Sequence, residues 1–178
     1  MISPDATHFI DSYRSVAVPR KVMLKRIDGT MRRVLLEAPN PLLGRQVGQT
    51  ELLTLKGVDG IDLHARIIKP SDFDPSKKYP VLVYVYNGPH VQLVRDTWLG
   101  GASMWMHHLS ERGYIIFTLD GRGSMNRGVE FEQAVHGDLG NKEVDDQMVG
   151  VSYLKELPYV DEDRMAIHGW SYGGFMTL

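Results

Sequence analysis

One serine lies in a sequence pattern that can turn its hydroxyl into a nucleophile. Ser171 is the centre of Gly169-Trp170-Ser171-Tyr172-Gly173, which has the form G-x-S-x-G of a sharp turn between a strand and a helix. Residues 165–168, just before it, are typical of a short strand, so the context agrees with the motif. Because a serine hydroxyl attacks an ester or amide once a base removes its proton, we interpret Ser171 as the nucleophile of a serine hydrolase.

Attack by this serine creates a negatively charged oxygen, which needs hydrogen-bond donors already in place. One expected donor is the backbone N–H of Tyr172, and the second should lie on the loop after an earlier buried strand. Tyr86 ends such a strand and is followed by Asn87-Gly88-Pro89. Its phenol could be the second donor, or it could simply pack at the sheet edge. Spacing alone leaves both interpretations open.

The base that would activate Ser171 is not among the histidines of the chain. All seven precede Ser171, whereas on this scaffold the acid and then the histidine follow the nucleophile. We therefore expect both partners to lie beyond residue 178 and the chain itself to be inactive. His90 is the histidine nearest to the expected cleft, and chain order argues against it as the base. His107 and His108 would face different sides of a helix, so no metal site is expected.

The carboxylates near these segments have structural explanations. Asp120 ends a strand beside the expected cleft, and we interpret it as capping a loop by accepting backbone hydrogen bonds. Glu143, Asp145 and Asp146 are interpreted as a solvated helix start, where carboxylates are favoured. The glycine-rich loop after Asp120 lacks the G-x-G-x-x-G spacing of a dinucleotide site, and no cofactor is expected.

The elements that would hold these residues alternate from about residue 79 onwards. Strands are predicted at 81–86, 114–119 and 165–168, and helices at 98–112 and 141–157. Alternation of this kind predicts right-handed crossovers and a mostly parallel sheet, hence an α/β fold. In the second helix, one apolar stripe is formed by Val144, Met148, Val151 and Leu154.

The first part of the chain is predicted to form short antiparallel strands. A tight turn at Asp28-Gly29 joins 21–27 to 31–36, and a second pair is expected at 51–56 and 63–69. Residues 38–41 have the composition of a linker. We therefore divide the chain into a β segment at 1–44 and an α/β segment at 45–178.

Composition excludes several classes of function. Hydrophobic residues make up 43% and charged residues 24% of the chain, with a net charge of −2. No basic tract suggests a nucleic-acid partner, and no apolar run approaches the roughly 20 residues of a membrane span. Cysteine is absent, which excludes disulfides and thiol nucleophiles but leaves the compartment open.

Four segments in order resemble the prolyl oligopeptidase family, and most closely its dipeptidyl peptidase IV branch. They are Val85-Tyr86-Asn87-Gly88-Pro89-His90, Leu119-Asp120-Gly121-Arg122-Gly123-Ser124, Gly140 with Glu143-Val144-Asp145-Asp146-Gln147, and Gly169-Trp170-Ser171-Tyr172-Gly173-Gly174-Phe175. The residues on either side of the serine, Trp170 and Tyr172, favour that branch. The resemblance implies an incomplete α/β-hydrolase domain at 45–178, preceded by the end of a β-propeller.

The resemblance also implies roles for individual residues. Ser171 would be acylated, Tyr86 would supply the side-chain oxyanion donor, and Tyr172 would supply its backbone N–H. The Tyr172 ring would line the pocket for the residue before the scissile bond, and Trp170 would also contact substrate. In the family that pocket prefers proline or alanine. The glutamates that bind the substrate amino terminus in the family lie upstream, so no residue here is assigned to that role.

The implied function is therefore a serine peptidase that releases N-terminal dipeptides with proline or alanine second. Alternatives are an acylaminoacyl peptidase or oligopeptidase of the same family, an esterase of small esters, or a binding module without catalysis. Peptides are the expected partners. An open edge at 165–168 predicts self-association of the chain, and a homodimer of the parent protein is the other expectation.

Overall fold

The computed structural model describes all 178 residues and contains two separate β-sheets. The first is a three-stranded antiparallel sheet of β1 (His8–Tyr13), β2 (Lys21–Arg26) and β3 (Met31–Glu37). The predicted hairpin is confirmed, since β2 pairs with β3 across the turn and Gly29 has φ of 87°. Every residue of β3 is exposed, so this sheet buries little apolar surface by itself.

The second sheet has five strands in the order β4-β5-β7-β6-β8. These are β4 (Gln49–Lys56), β5 (Asp62–Lys69), β6 (Tyr79–Tyr84), β7 (Ile115–Asp120) and β8 (Val160–His168). As predicted, β6 runs parallel to β7 and β8, while β4 and β5 form an antiparallel pair. That pair joins the same sheet through antiparallel β5–β7 contacts, so the sheet is mixed.

Four helices connect or follow these strands. They are α1 (Met104–Ser110), α2 (Val129–Glu132), α3 (Lys142–Glu156) and α4 (Tyr172–Phe175). None of them has the length and apolar character that a membrane crossing requires. The α2 helix was not predicted, since its four residues are too few to show a helical period.

The prediction of one helix over 98–112 is wrong in its first part. Residues 98–101 form a single 3-10 turn in which Leu99 and Gly100 have φ of 58° and 67°. A left-handed backbone at these two residues cannot continue an α-helix. The carbonyl oxygen of Gly100 instead accepts a hydrogen bond of 2.7 Å from the buried Arg66 guanidinium, and α1 begins only at Met104.

The core lies on both faces of the mixed sheet. On the larger side, buried apolar side chains of β5, β6 and β7 pack with residues of α2, α3 and the start of β8: Leu63, Ala65, Ile67, Tyr79, Val81, Val83, Ile115, Phe117, Leu119, Phe131, Leu154 and Val160. On the other side, Ile68 and Ile116 pack against Met106 of α1. This two-sided cover holds the carboxyl ends of β6, β7 and β8 in place, and the loops that follow them form the candidate site.

The orientation of α3 differs from the predicted one. Val144 and Met148 of the apolar stripe are 44% and 52% exposed, and they border an open groove of about 410 Å³ beside β8. Glu143 and Asp146 are fully buried instead, so their interpretation as a solvated helix start is wrong. Only Asp145 is exposed as expected. The polar side of the first turns of α3 faces the loops after β6 and β7, where it meets hydrogen-bond donors.

Candidate active site

Ser171 lies on a sharp turn between β8 and α4. Its φ and ψ are 56° and −125°, a backbone conformation that is strained for any residue other than glycine. The serine is exposed, and its side chain makes no capping hydrogen bond to α4. This is the strand–turn–helix geometry that the G-x-S-x-G motif predicts, with the hydroxyl presented to solvent.

Close backbone packing fixes this turn beside the chain that leaves β6. A Cβ atom at Gly173 would lie 2.2 Å from the carbonyl oxygen of Val85, and one at Gly169 would lie 2.3 Å from the carbonyl oxygen of Gly173. The Val85 N–H also donates a 3.0 Å hydrogen bond to the His168 carbonyl oxygen. Because only glycine permits such approaches, the residue types of the motif bring Ser171 next to the segment that contains Tyr86.

Two tyrosines meet at this junction. The ring centroids of Tyr86 and Tyr172 are 6.4 Å apart, with an angle of 42° between the ring planes. A Cβ atom at Gly88 would lie 2.6 Å from a ring carbon of Tyr86 and 3.0 Å from Cβ of Tyr172. The structure thus groups Tyr86 and Tyr172 next to Ser171, whereas Trp170 is 68% exposed.

The Tyr172 phenol is bound by a carboxylate that the sequence interpretation placed in solvent. Its hydroxyl donates a 2.6 Å hydrogen bond to Oε1 of Glu143, and Oε2 of Glu143 accepts a 3.0 Å hydrogen bond from the Gly140 N–H. Burial raises the pKa of Tyr172 above its ordinary value, and the hydrogen bond and charge of Glu143 raise it further. The phenol is therefore a donor at neutral pH.

Asn87 connects the two loops around the site with α3. It is buried with φ of 50°, and its Oδ1 accepts hydrogen bonds of 2.7 Å from the Gly121 N–H and 3.2 Å from Nε2 of Gln147. Asparagine tolerates this left-handed conformation better than most residues. The loop after β6 is thereby joined to the loop after β7 and to α3, and sequence reasoning missed the contribution of Gln147.

Asp120 and Arg66 anchor the outer part of the loop after β6. The Asp120 carboxylate accepts backbone hydrogen bonds of 2.9 Å from Leu93 and 2.7 Å from Val94, which confirms its predicted role as a loop cap. Burial raises its pKa to about 6. Arg66 is buried, which lowers its pKa to about 10, and it donates to the Leu93 and Gly100 carbonyl oxygens. Together they hold residues 93–100 against the sheet.

No histidine of the chain is paired with Ser171. The His90 ring binds the Glu132 carboxylate at the surface, and the His168 ring packs against Trp105 at 5.7 Å between centroids. His107 is buried in α1. No group of three or more metal-ligating side chains occurs.

Comparison with known proteins identifies the family. Residues 102–178 match the prolyl oligopeptidase family. Dipeptidyl peptidase 8 of Homo sapiens is 34% identical over 99% of the chain. The chain belongs to the prolyl oligopeptidase family. Dipeptidyl-aminopeptidase B of Aspergillus niger is 38% identical over 94% of the chain.

Solved structures of family members agree with the fold. A Bacteroides ovatus protein described as a candidate dipeptidyl aminopeptidase IV is 47% identical over 99% of the chain, with a TM-score of 0.93. Dipeptidyl peptidase 4 of Porphyromonas gingivalis is 36% identical with a TM-score of 0.85. The α/β-hydrolase fold predicted from the resemblance is therefore confirmed. The chain spans about a fifth of the length of the curated relatives, 21% and 19% of the two above, and 25% of each solved chain.

Proposed function

We propose that this chain carries the nucleophile and the oxyanion donors of a serine peptidase that removes dipeptides from peptide N-termini. The single observation that supports this most is the strained, exposed Ser171 on a turn packed against the segment of Tyr86. The relatives named dipeptidyl peptidases support the choice of a dipeptide-releasing peptidase. Proline or alanine would be the second residue of the substrate.

In the proposed reaction, Oγ of Ser171 attacks the carbonyl carbon of the peptide bond and loses its proton to a histidine. The carbonyl oxygen becomes negative and receives hydrogen bonds from the Tyr86 phenol and the Tyr172 N–H, which has no acceptor within α4 because it lies in the first turn. The carbon–nitrogen bond then breaks, and the amine leaves with the proton held by the histidine. Water hydrolyses the acyl-enzyme by the reverse sequence of proton transfers.

The ring of Tyr172 would form one wall of the pocket for the residue before the scissile bond. It lies between Tyr86 and Phe175, with centroid distances of 6.4 and 5.3 Å. A rigid aromatic face suits the compact pyrrolidine ring of proline. Trp170, which is 68% exposed, would contact substrate on the other side of the serine.

The catalytic acid and histidine are proposed to lie beyond residue 178. The histidine rings that form hydrogen bonds in this chain have Thr7, Thr54 and Glu132 as partners. Because loss of the base reduces turnover by several orders of magnitude, we expect the purified chain not to hydrolyse Gly-Pro-p-nitroanilide. Hydrolysis that disappears in Ser171→Ala would contradict this.

The assignment is tested on the longest natural polypeptide that contains these residues. We expect it to hydrolyse Gly-Pro-p-nitroanilide, and Ser171→Ala to abolish the activity. Tyr86→Phe should lower kcat about 100- to 1000-fold with KM little changed, because it removes one oxyanion donor. The matched control is Tyr114→Phe, at an exposed tyrosine before β7. Cleavage of acetylated amino acid anilides or of p-nitrophenyl acetate alone would favour an acylaminoacyl peptidase or an esterase, and no turnover would favour a binding module.

We also propose that the boundary between the β segment and the α/β segment lies near residue 44. The first sheet ends at Glu37, the second begins at Gln49, and the residues between them form neither helix nor strand. Limited proteolysis should cut between these strands before it cuts within either sheet. First cuts inside β5 or β6 would contradict this division.

A further inference from the structure

Glu143 is a buried carboxylate that forms no salt bridge. Its side chain is fully buried in the first turn of α3, and its two partners are the neutral donors Tyr172 Oη and Gly140 N–H. Burying a carboxylate is unfavourable unless its surroundings satisfy it. Asp146, one turn away, is also buried but pairs with the Arg122 guanidinium at 2.8 Å. The burial of the Glu143 carboxylate therefore has to be explained by something other than charge pairing.

The geometry around Tyr172 supplies this explanation. At one end of the side chain, Cβ of Tyr172 lies against Gly88, where an added Cβ would be only 3.0 Å away. At the other end, the hydroxyl is held by Oε1 of Glu143 at 2.6 Å. The ring between them contacts Phe175 at 5.3 Å between centroids. Fixed at both ends, the side chain cannot swing away about χ1 without breaking the hydrogen bond to Glu143.

We propose that Glu143 is a positioning residue that holds the Tyr172 ring, and through it the adjoining Tyr172 N–H, in the orientation that binds and activates substrate. This inference rests on the proposed peptidase function for its consequence, but the hydrogen bond itself is independent of that function. Glu143 touches no substrate. It acts on the pocket wall through the phenol and on the oxyanion through the backbone next to Ser171.

Loss of this hydrogen bond would affect two steps. A mobile ring would weaken binding of a proline side chain, and a displaced N–H would stabilise the oxyanion less well. Misplacement of a catalytic group by about 1 Å costs on the order of 100-fold in rate. We therefore expect Glu143→Gln to lower kcat/KM for Gly-Pro-p-nitroanilide by about 10- to 100-fold, with a rise in KM and a fall in kcat.

The hydrogen bond can be tested on the present chain by ¹⁹F NMR, a measurement that does not require catalytic activity. The chain is labelled with 3-fluorotyrosine, and the ¹⁹F resonance of Tyr172 is identified as the one missing in Tyr172→Phe. At neutral pH this resonance should move towards the position of free 3-fluorotyrosine in Glu143→Gln, because the charged acceptor of the phenol is removed. The matched control is Asp145→Asn, the same carboxylate-to-amide change at an exposed position of the same turn. A Tyr172 resonance that stays unchanged in Glu143→Gln would overturn the proposal.

A double-mutant cycle on the longest natural polypeptide tests the action through Tyr172. We expect Glu143→Gln, Tyr172→Phe and the double variant to lose kcat/KM to a similar extent, because each removes the charge-assisted hydrogen bond between the phenol and Glu143. Losses that multiply would mean that Glu143 acts elsewhere and would overturn the proposal. If Glu143→Gln does not fold, Tyr172→Phe alone decides, since unchanged kinetics there also overturn it. An inactive wild type would refute the proposed function, while the ¹⁹F result would still decide the contact.

Discussion

The sharp turn between β8 and α4 that carries Ser171, called the elbow below, has two adjacent glycines, Gly173 and Gly174. Substitution by alanine should have opposite effects on stability at these two positions. In Gly173→Ala the new Cβ would lie 2.2 Å from the Val85 carbonyl oxygen, against an ordinary contact distance of 3.4 Å or more. Both sides of this contact are backbone, so α4 or the end of β6 must retreat by about 1 Å. Overpacking of this kind costs about 1 to 3 kcal/mol or somewhat more. We therefore expect Gly173→Ala to lower the free energy of unfolding of this region by about 3 kcal/mol.

Gly174→Ala is the matched control for this change. Its Cβ would have only the Gly169 carbonyl oxygen near it, at 3.9 Å, and alanine favours a helix by up to about 1 kcal/mol over glycine. The difference between the two variants should therefore reach about 3 to 4 kcal/mol.

Amide hydrogen exchange measures this difference where it arises. The N–H groups of Phe175 and Met176 donate to the Ser171 and Tyr172 carbonyl oxygens across the elbow. Because each 1.4 kcal/mol corresponds to a factor of about 10, protection of these two amides should fall about 100-fold in Gly173→Ala and not fall in Gly174→Ala. Equal protection in both variants would refute the close packing of the elbow on Val85.

Three further outcomes are expected for the chain. Asp120 binds its proton more tightly in the folded chain, where its pKa is about 6, than in the unfolded chain, where the ordinary value is 3.8. The free energy of unfolding of wild type relative to Asp120→Asn should therefore fall by about 3 kcal/mol as pH rises through this range. Urea unfolding at several pH values measures this, and a difference that does not change with pH would contradict it. Asp146→Asn should cost about 3 to 5 kcal/mol, because it leaves the buried Arg122 guanidinium without its main partner. Asp59→Asn should cost less than about 1 kcal/mol, because Asp59 is the 58% exposed partner of the same arginine, and similar losses in the two variants would argue against the buried pair. The chain should self-associate through the open edge of β8, where Ile167 is 48% exposed, and light scattering should detect this. Ile167→Lys should weaken the association, whereas the control Val129→Lys, at a remote exposed site, should not. A monodisperse wild-type monomer at tens of micromolar would contradict this expectation.

Local patterns were sufficient to predict most of the fold. Continuous runs of apolar and β-branched residues located β6 and β7, because strands buried on both faces need them. Alternation of apolar and polar residues located β5. The Asp28-Gly29 pair located the N-terminal hairpin, because few residue pairs form that tight turn. The elbow was predicted for a similar reason: a serine between glycines has few other structural explanations after a strand.

The errors arose where distant contacts decide the local structure. The turn at Leu99 and Gly100 is stabilised by Arg66, which is far away in sequence and donates a hydrogen bond to the Gly100 carbonyl oxygen. Glu143 was placed in solvent because acidic residues at a helix start are commonly exposed, and only the fold brings Tyr172 to its carboxylate. Tertiary partners of this kind leave little trace in the sequence near either residue.

The most direct test of this account is a crystal structure of the longest natural polypeptide after reaction with a Gly-Pro diphenyl phosphonate. We expect a covalent bond from phosphorus to Oγ of Ser171. A phosphoryl oxygen should lie about 2.7 to 3.1 Å from both the Tyr86 hydroxyl and the Tyr172 backbone nitrogen. A phosphonate attached to another residue, or a phosphoryl oxygen directed away from both tyrosines, would contradict the assignment of Ser171 and its donors.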